Sequence, residues 1–250
     1  RRWLDANKQT FLLIDGPGVL NEAGNLLWKL PPATDDRAIA YADPDHNAVI
    51  TWWPARGVLQ TLDAATGTVR NEASFGADPR NERTWDVSPE AQRIAISEVI
   101  GDQSVVTTDA IDGSDRAEVY RSDSQHRVGS LVWSPDGRQL LLRLGERSSS
   151  NYVVTFTSVV VVGQRGDVLL EQPGGALWAG GGRLLSSPPG SPITVGGGLG
   201  GKDIVDVATG AHTSIANTPS LLCISPDAKW GLYYKESRIG QLRAMVIEAK

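Results

Sequence analysis

Four short stretches of the chain read apolar residue, then Ser or Asp, then Pro, then Asp or Glu: Ala42-Asp43-Pro44-Asp45, Val87-Ser88-Pro89-Glu90, Trp133-Ser134-Pro135-Asp136 and Ile224-Ser225-Pro226-Asp227. Their prolines stand 45, 46 and 91 residues apart, and 91 is two steps of the same size. Midway through the double step lies Trp178-Ala179-Gly180-Gly181, a fifth copy that has lost its Pro and its acid, and Leu4-Asp5-Ala6-Asn7 reads as a degenerate sixth. A fixed period in this range is the signature of a repeat architecture, in which each unit buries its apolar faces against its neighbours.

A second series runs in the same register. Gly24, Gly67, Gly113, Gly166 and Gly210 each sit in a short polar turn, 43, 46, 53 and 44 residues apart. Between the two turns the chain is strand-like, and the second repeat shows the pattern most fully. Residues 38–42 form a first strand, 43–47 a turn and 48–53 a second strand. Residues 58–63 form a third strand, 64–67 the glycine turn and 68–75 a fourth strand. Pro fixes φ at the first turn and the acid beside it accepts from nearby backbone N–H groups. No 3.6-residue period extends over 15 residues, so helical solenoids are excluded. Four antiparallel strands about every 45 residues, six times, predict an all-β fold, a six-bladed β-propeller; a β-sandwich would need the spacing to be accidental. The repeats fall at about 1–31, 38–75, 83–122, 127–173, 175–217 and 220–250 of a single domain. The last repeat stops one strand short, and the strand that completes it is expected from residues Arg1 to Ala6, with residues before Arg1 or after Lys250 as the alternative source.

Composition narrows the partners. A chain of 250 residues buries about three quarters of its unfolded surface and needs no disulfide or metal to hold a core. Cys223 is the only cysteine, so no intramolecular bridge forms. The net charge is −5 and the basic residues are scattered, which argues against nucleic acid. No apolar run reaches the ~20 residues of a membrane span. The opening Arg1-Arg2-Trp3-Leu4-Asp5 does not read as a signal peptide and fits a mature or trimmed form of a longer precursor.

The stretch Trp133-Ser134-Pro135-Asp136-Gly137-Arg138-Gln139-Leu140-Leu141-Leu142 resembles the WD40-like repeat of bacterial TolB-type propellers, which also occurs in propeller domains of tricorn and prolyl-oligopeptidase-type proteases. Val87-Ser88-Pro89-Glu90 and Ile224-Ser225-Pro226-Asp227 extend the resemblance; the first and fifth repeats depart from it. The resemblance implies a propeller fold, an extracytoplasmic location in the periplasm or cell envelope, with the cytoplasm left open, and a binding or scaffolding role.

In such a repeat the two regular turn series open on one end of the strands. The loops between second and third strands open on the other end, where the repeats differ: residues 15–18, 52–57, 98–103, 143–151, 187–202 and 235–241. Variable loops on one end of a repeat protein mark its binding surface. Trp53, Arg56, Arg143, Glu146, Arg147, Lys235 and Arg238 are the candidate ligand- or partner-binding residues, Trp and Arg being enriched at interface anchors. Trp52 and Trp53 are consecutive strand positions that point to opposite sides of the sheet, so at least one of the two is expected in the core.

Catalytic motifs fail. Gly196-Gly197-Gly198-Leu199-Gly200-Gly201-Lys202 imitates a phosphate loop but is followed by Asp203 in place of a hydroxyl, and Asp43-Pro44-Asp45-His46-Asn47 lacks the Gly and the bidentate acid of a calcium loop. His46, His126 and His212 lie in three repeats without metal-ligand spacing. No Gly-x-Ser-x-Gly elbow occurs. No catalytic residue, metal or cofactor is therefore assigned. Three functions follow: a monomeric, non-catalytic propeller that binds a protein or extended ligand; a propeller hydrolase or lyase with acids such as Asp86 gathered at its axis; or the ectodomain of a membrane-anchored sensor or lipoprotein.

Overall fold

Turn chemistry sets where each strand ends. The computed structural model describes residues 2–3, 10–13, 18–21, 23, 25–29, 39–43, 46–78, 83–90, 92–146, 156–187, 203–215, 221–224, 230–234 and 242–246, and all their regular structure is β. The first sheet holds β1 (Arg2–Trp3), β2 (Thr10–Leu13), β3 (Gly18–Asn21) and β4 (Leu26–Lys29). The second holds β5 (Ile39–Asp43), β6 (Ala48–Trp53), β7 (Val58–Asp63) and β8 (Val69–Ser74). Next come β9 (Thr84–Val87), β10 (Arg93–Ile100), β11 (Gln103–Ala110) and β12 (Ala117–Arg121) in the third. The fourth contains β13 (His126–Trp133), β14 (Gln139–Glu146), β15 (Phe156–Gly163) and β16 (Val168–Pro173). In the fifth lie β17 (Gly175–Gly180), β18 (Arg183–Ser187), β19 (Asp203–Asp206) and β20 (His212–Ser214). The sixth has three described strands, β21 (Leu221–Ile224), β22 (Trp230–Tyr234) and β23 (Leu242–Val246). Within each sheet the strands pair in chain order.

One expectation is corrected. The sequence assigns residues 1–6 to the last sheet, but Arg2–Trp3 pairs antiparallel with β2 of the first, Arg2 opposite Leu12 and Trp3 opposite Phe11. A neighbour along the chain is the partner with the smallest loop-closure entropy. The degenerate turn at Leu4 to Asn7 lies outside the described residues.

The chain divides into two compact units. The first comprises Arg1–Arg83, Glu90–Ile96 and Thr108–Ala117; the second comprises Thr84–Pro89, Ser97–Thr107 and Glu118–Lys250.

In the first unit every residue of β6 is buried, because the strand is covered on both faces and its apolar run is nearly continuous. Val49, Trp53, Leu62 and Ala64 pack with Val19 of β3, and Trp28 of β4 packs on the same cluster. The glycine turn is built by Asp63: its Oδ1 accepts the N–H groups of Ala65 (2.9 Å) and Thr66 (2.8 Å), and Gly67 N–H closes on the Asp63 carbonyl (2.8 Å). Gly67 has φ +72°, and a Cβ there would meet the Trp28 ring at 2.7 Å. Trp28 in turn donates its indole N–H to the Ala64 carbonyl at 2.9 Å.

In the second unit the acid of the Ser-Pro-Asp turn accepts a backbone N–H as expected, Arg138 N–H to Asp136 Oδ1 (3.3 Å), and the serine adds a second anchor. The Ser134 hydroxyl, donating to Asp136 (2.6 Å), is the group that accepts the Gln139 N–H (2.9 Å), so the acid orients the serine as well as the backbone. Two tryptophans tie successive first strands together one repeat apart: Trp133 Nε1–H donates to the Asp86 carbonyl (3.2 Å) and Trp178 Nε1–H to the Val132 carbonyl (3.0 Å). Leu141, Val159, Val161, Ala176, Leu184, Val205 and Val207 form a core that joins the fourth and fifth sheets. At the fifth copy of the motif Gly181 and Gly182, both with positive φ, turn the chain between Gly180 and Arg183, a geometry closed to proline.

Candidate functional site

At the loop end of the second sheet Trp53 closes β6 and the chain turns through Pro54, Ala55, Arg56 and Gly57. Gly57 N–H returns to the Pro54 carbonyl (3.1 Å), Phe75 N–H donates to the Gly57 carbonyl (2.7 Å) and Asp78 N–H to the Ala55 carbonyl (2.8 Å). The turn is thus pinned from both sides. Arg83 reinforces it, donating from Nη1 to the Phe75 carbonyl (3.2 Å) and from its backbone N–H to Asp78 Oδ2 (2.8 Å). Arg56 is exposed, with its guanidinium 4.5 Å from the centroid of the Trp53 ring. The ring itself is buried and donates its indole N–H to Gln60 Oε1 (3.1 Å), while Gln60 Nε2 donates to the exposed Glu72 (2.7 Å). A cation, an aromatic face and a carboxylate are therefore held in fixed relation. Both tryptophans are core residues: Trp52 is fully buried, its ring edge-on to Phe75 with centroids 5.8 Å apart.

The other sequence candidates are not brought together. Arg143 was expected in a loop, but β14 continues to Glu146, and the Arg143 guanidinium is partly buried between β13 and β17. Glu146, three residues on and thus on the opposite face of the strand, is exposed across from His126. Arg147, Lys235 and Arg238 lie outside the described residues. Asp86 accepts backbone N–H groups on both carboxylate oxygens, from Val87 (3.0 Å) and Trp133 (2.9 Å), which gives it a structural task. Among the described residues no three His, Cys, Asp or Glu side chains gather at metal-binding distance. Nor is any described helix long and apolar enough to cross a membrane.

The turn end holds a polar network that the sequence reading treated as turn chemistry alone. Asp43 stands where the fourth sheet has Ser134, and its buried carboxylate pairs with His46 Nδ1 (3.0 Å). Gln92 Nε2 reaches the same nitrogen at 3.2 Å, and Arg70 donates to the His46 carbonyl (2.9 Å) and to Asp63 (2.5 Å). Arg70 first, then the Thr66 N–H and hydroxyl, hold the Asp63 carboxyl down at about 2. The 46-residue separation of His46 and Gln92, one repeat, is the signal that would have found this link.

Asp109 is buried in β11, its Oδ1 without a hydrogen-bond partner among the described residues. Burial pushes its carboxyl above the ordinary value, against the opposing pull of the Asp115 N–H and of Arg116 and Arg93. The folded state therefore keeps this proton to higher pH than the unfolded chain, so this group's contribution to stability falls as pH rises from about 4 through the folded value. Asp109→Asn is expected to remove that fall. Melting curves from pH 3 to 8 should show a gain over wild type that is absent at the acid end and full at neutral pH; a pH-independent difference would contradict the assignment.

No protein-family model matches the chain, and no curated protein matches it. Solved structures do. Hydrazine synthase from Kuenenia stuttgartiensis superposes with a TM-score of 0.56 at 12% identity, over 92% of this chain and 71% of that one. The dihydro-heme d1 dehydrogenase NirN gives 0.52 at 13% over 92% of this chain, and an acylaminoacyl peptidase gives 0.51 at 14% over 88%. The chain has a β-propeller-type fold. It spans 51% of the NirN chain and 38% of the peptidase. The similar structures include enzymes of unrelated chemistry, so the likeness carries the fold and not an activity.

Proposed function

We infer that this chain is a non-catalytic, six-bladed propeller domain spanning residues 1–250, a TolB-type binding or scaffolding module that presents its loop end to a protein partner. The observation that carries this reading is the exposed Arg56 guanidinium stacked on the buried Trp53 ring, on a turn fixed by three backbone hydrogen bonds. A pre-organised cation over an aromatic face loses little freedom on binding and matches the composition of interface anchors. A cell-envelope location rests on the family resemblance of the Trp133 to Leu142 stretch.

The test is site-specific photo-crosslinking in cells, with the crosslinker at position 55, beside Arg56, in one variant and at position 66, on the turn end, in another. Protein adducts at 55 and none at 66 are expected; adducts only at 66, equally at both, or at neither would overturn the reading. With the captured partner purified, Arg56→Ala is expected to weaken binding about tenfold while leaving the melting temperature nearly unchanged.

A further inference from the structure

Arg143 carries a charge that no carboxylate among the described residues neutralises. Its Nε–H donates to the Ala176 carbonyl of β17 (3.1 Å) and one Nη1–H to the Ser130 hydroxyl of β13 (3.2 Å). Both acceptors are neutral, and among the described residues no carboxylate pairs with it. Guanidinium has five N–H donors and keeps its proton in proteins, so burial cannot discharge it. Desolvation lowers the arginine's pKa here, and no acid among the described residues offsets the effect. A desolvated cation is normally paired or bound to a ligand.

The backbone beside it is irregular. Ser130 lies opposite Arg143, yet Val128 lies opposite Leu144, so Gly129 is an extra residue in β13, a β-bulge. Bulges re-aim neighbouring side chains and recur next to functional sites. Gly129 and Ser130 are both partly exposed. The Ser130 oxygen accepts from Arg143, which leaves its own hydrogen to donate.

We propose that Arg143 and Ser130, set by the Gly129 bulge between β13 and β17, bind an oxyanion: a carboxylate or phosphate group carried by a ligand. Arg143 supplies planar paired N–H donors that suit either group, and Ser130 a third donor. The site lies wholly in the second unit and shares no residue with the Arg56 turn, so either assignment can fail alone.

The wild-type chain is titrated with inorganic phosphate, with acetate and with a triglutamate peptide at constant ionic strength set by chloride. The Arg143 Nε–Hε resonance reports the site directly. A saturable shift of that resonance is expected with at least one probe. Isothermal titration calorimetry, which needs no arginine resonance, reads the variants: Arg143→Met should weaken that binding tenfold or more, and Ser130→Ala should weaken it less. Saturation by phosphate alone assigns a phosphorylated or inorganic ligand; saturation by acetate and peptide assigns a carboxylate. Arg143→Met is expected to melt no lower than wild type, because it removes an unpaired charge. A linear, unsaturable response to all three probes, or equal affinity in Ser130→Ala and Arg143→Met, would overturn the site. If Arg143→Met fails to fold, the wild-type titration and Ser130→Ala decide.

Discussion

Gly57→Ala is expected to destabilise the protein by several kcal/mol and to abolish partner binding at the Arg56 turn. The residue has φ +60°, a conformation that costs a side chain of order 1–3 kcal/mol. A second penalty adds to it. A Cβ at this position would stand 1.7 Å from the Gly76 carbonyl oxygen, which is backbone and cannot swing aside. The turn would have to open, breaking the Phe75 N–H bond to the Gly57 carbonyl and releasing Arg56 from the Trp53 ring. Gly101 provides the control: its φ of +65° is similar, but a Cβ there meets nothing within 4 Å. Gly101→Ala should therefore show the conformational penalty alone. Urea unfolding of the two variants separates the two effects, and equal midpoint losses would mean that the Gly57 contact is not structural.

The sequence reveals the parts of this fold whose physics is local. Residues 48–53 read as a buried strand and residues 64–67 as a glycine turn because apolar runs, Asp63 and Gly67 act within a few residues of themselves. Strand ends set by a partner are less visible. Arg143 reads as the start of a charged loop, yet pairing of Arg127 and His126 with Gly145 and Glu146 prolongs β14 past it. Burial supplied by a neighbouring sheet is also hidden. Period-two alternation places at least one of Trp52 and Trp53 in the core; that both are buried comes from Val19 and Trp28 of the first sheet, which cover the other face. The candidate site follows the same division: Trp53 and Arg56 are legible as an aromatic and cationic pair. The hydrogen bonds from Phe75, Asp78 and Arg83 that fix the pair come from the far side of β8.

Trp52→Ala is expected to lower stability by about 3–5 kcal/mol, the range for emptying a large aromatic site in a packed core. Trp52 has no exposed surface, and its ring meets Phe75 edge-on at an interplanar angle of 72°. Edge-to-face pairs contribute about 0.5–1.5 kcal/mol beyond the area they bury. The effect should therefore exceed simple loss of apolar area and should depend on Phe75. In a double-mutant cycle with Phe75→Ala, the coupling isolates the ring contact from the cavity. Phe75 also links the core to the Arg56 turn, because its N–H donates to Gly57 and its carbonyl accepts from Arg83. A Phe75 ring freed by Trp52→Ala loosens both bonds, so the variant should bind the crosslinked partner more weakly although Trp52 itself reaches no solvent. Trp52→Phe keeps an aromatic ring against Phe75 and should recover most of the stability and nearly all of the binding. Chemical denaturation together with affinity measured on the folded fraction tests both; full binding by folded Trp52→Ala would mean that the turn holds its geometry without the core beneath it.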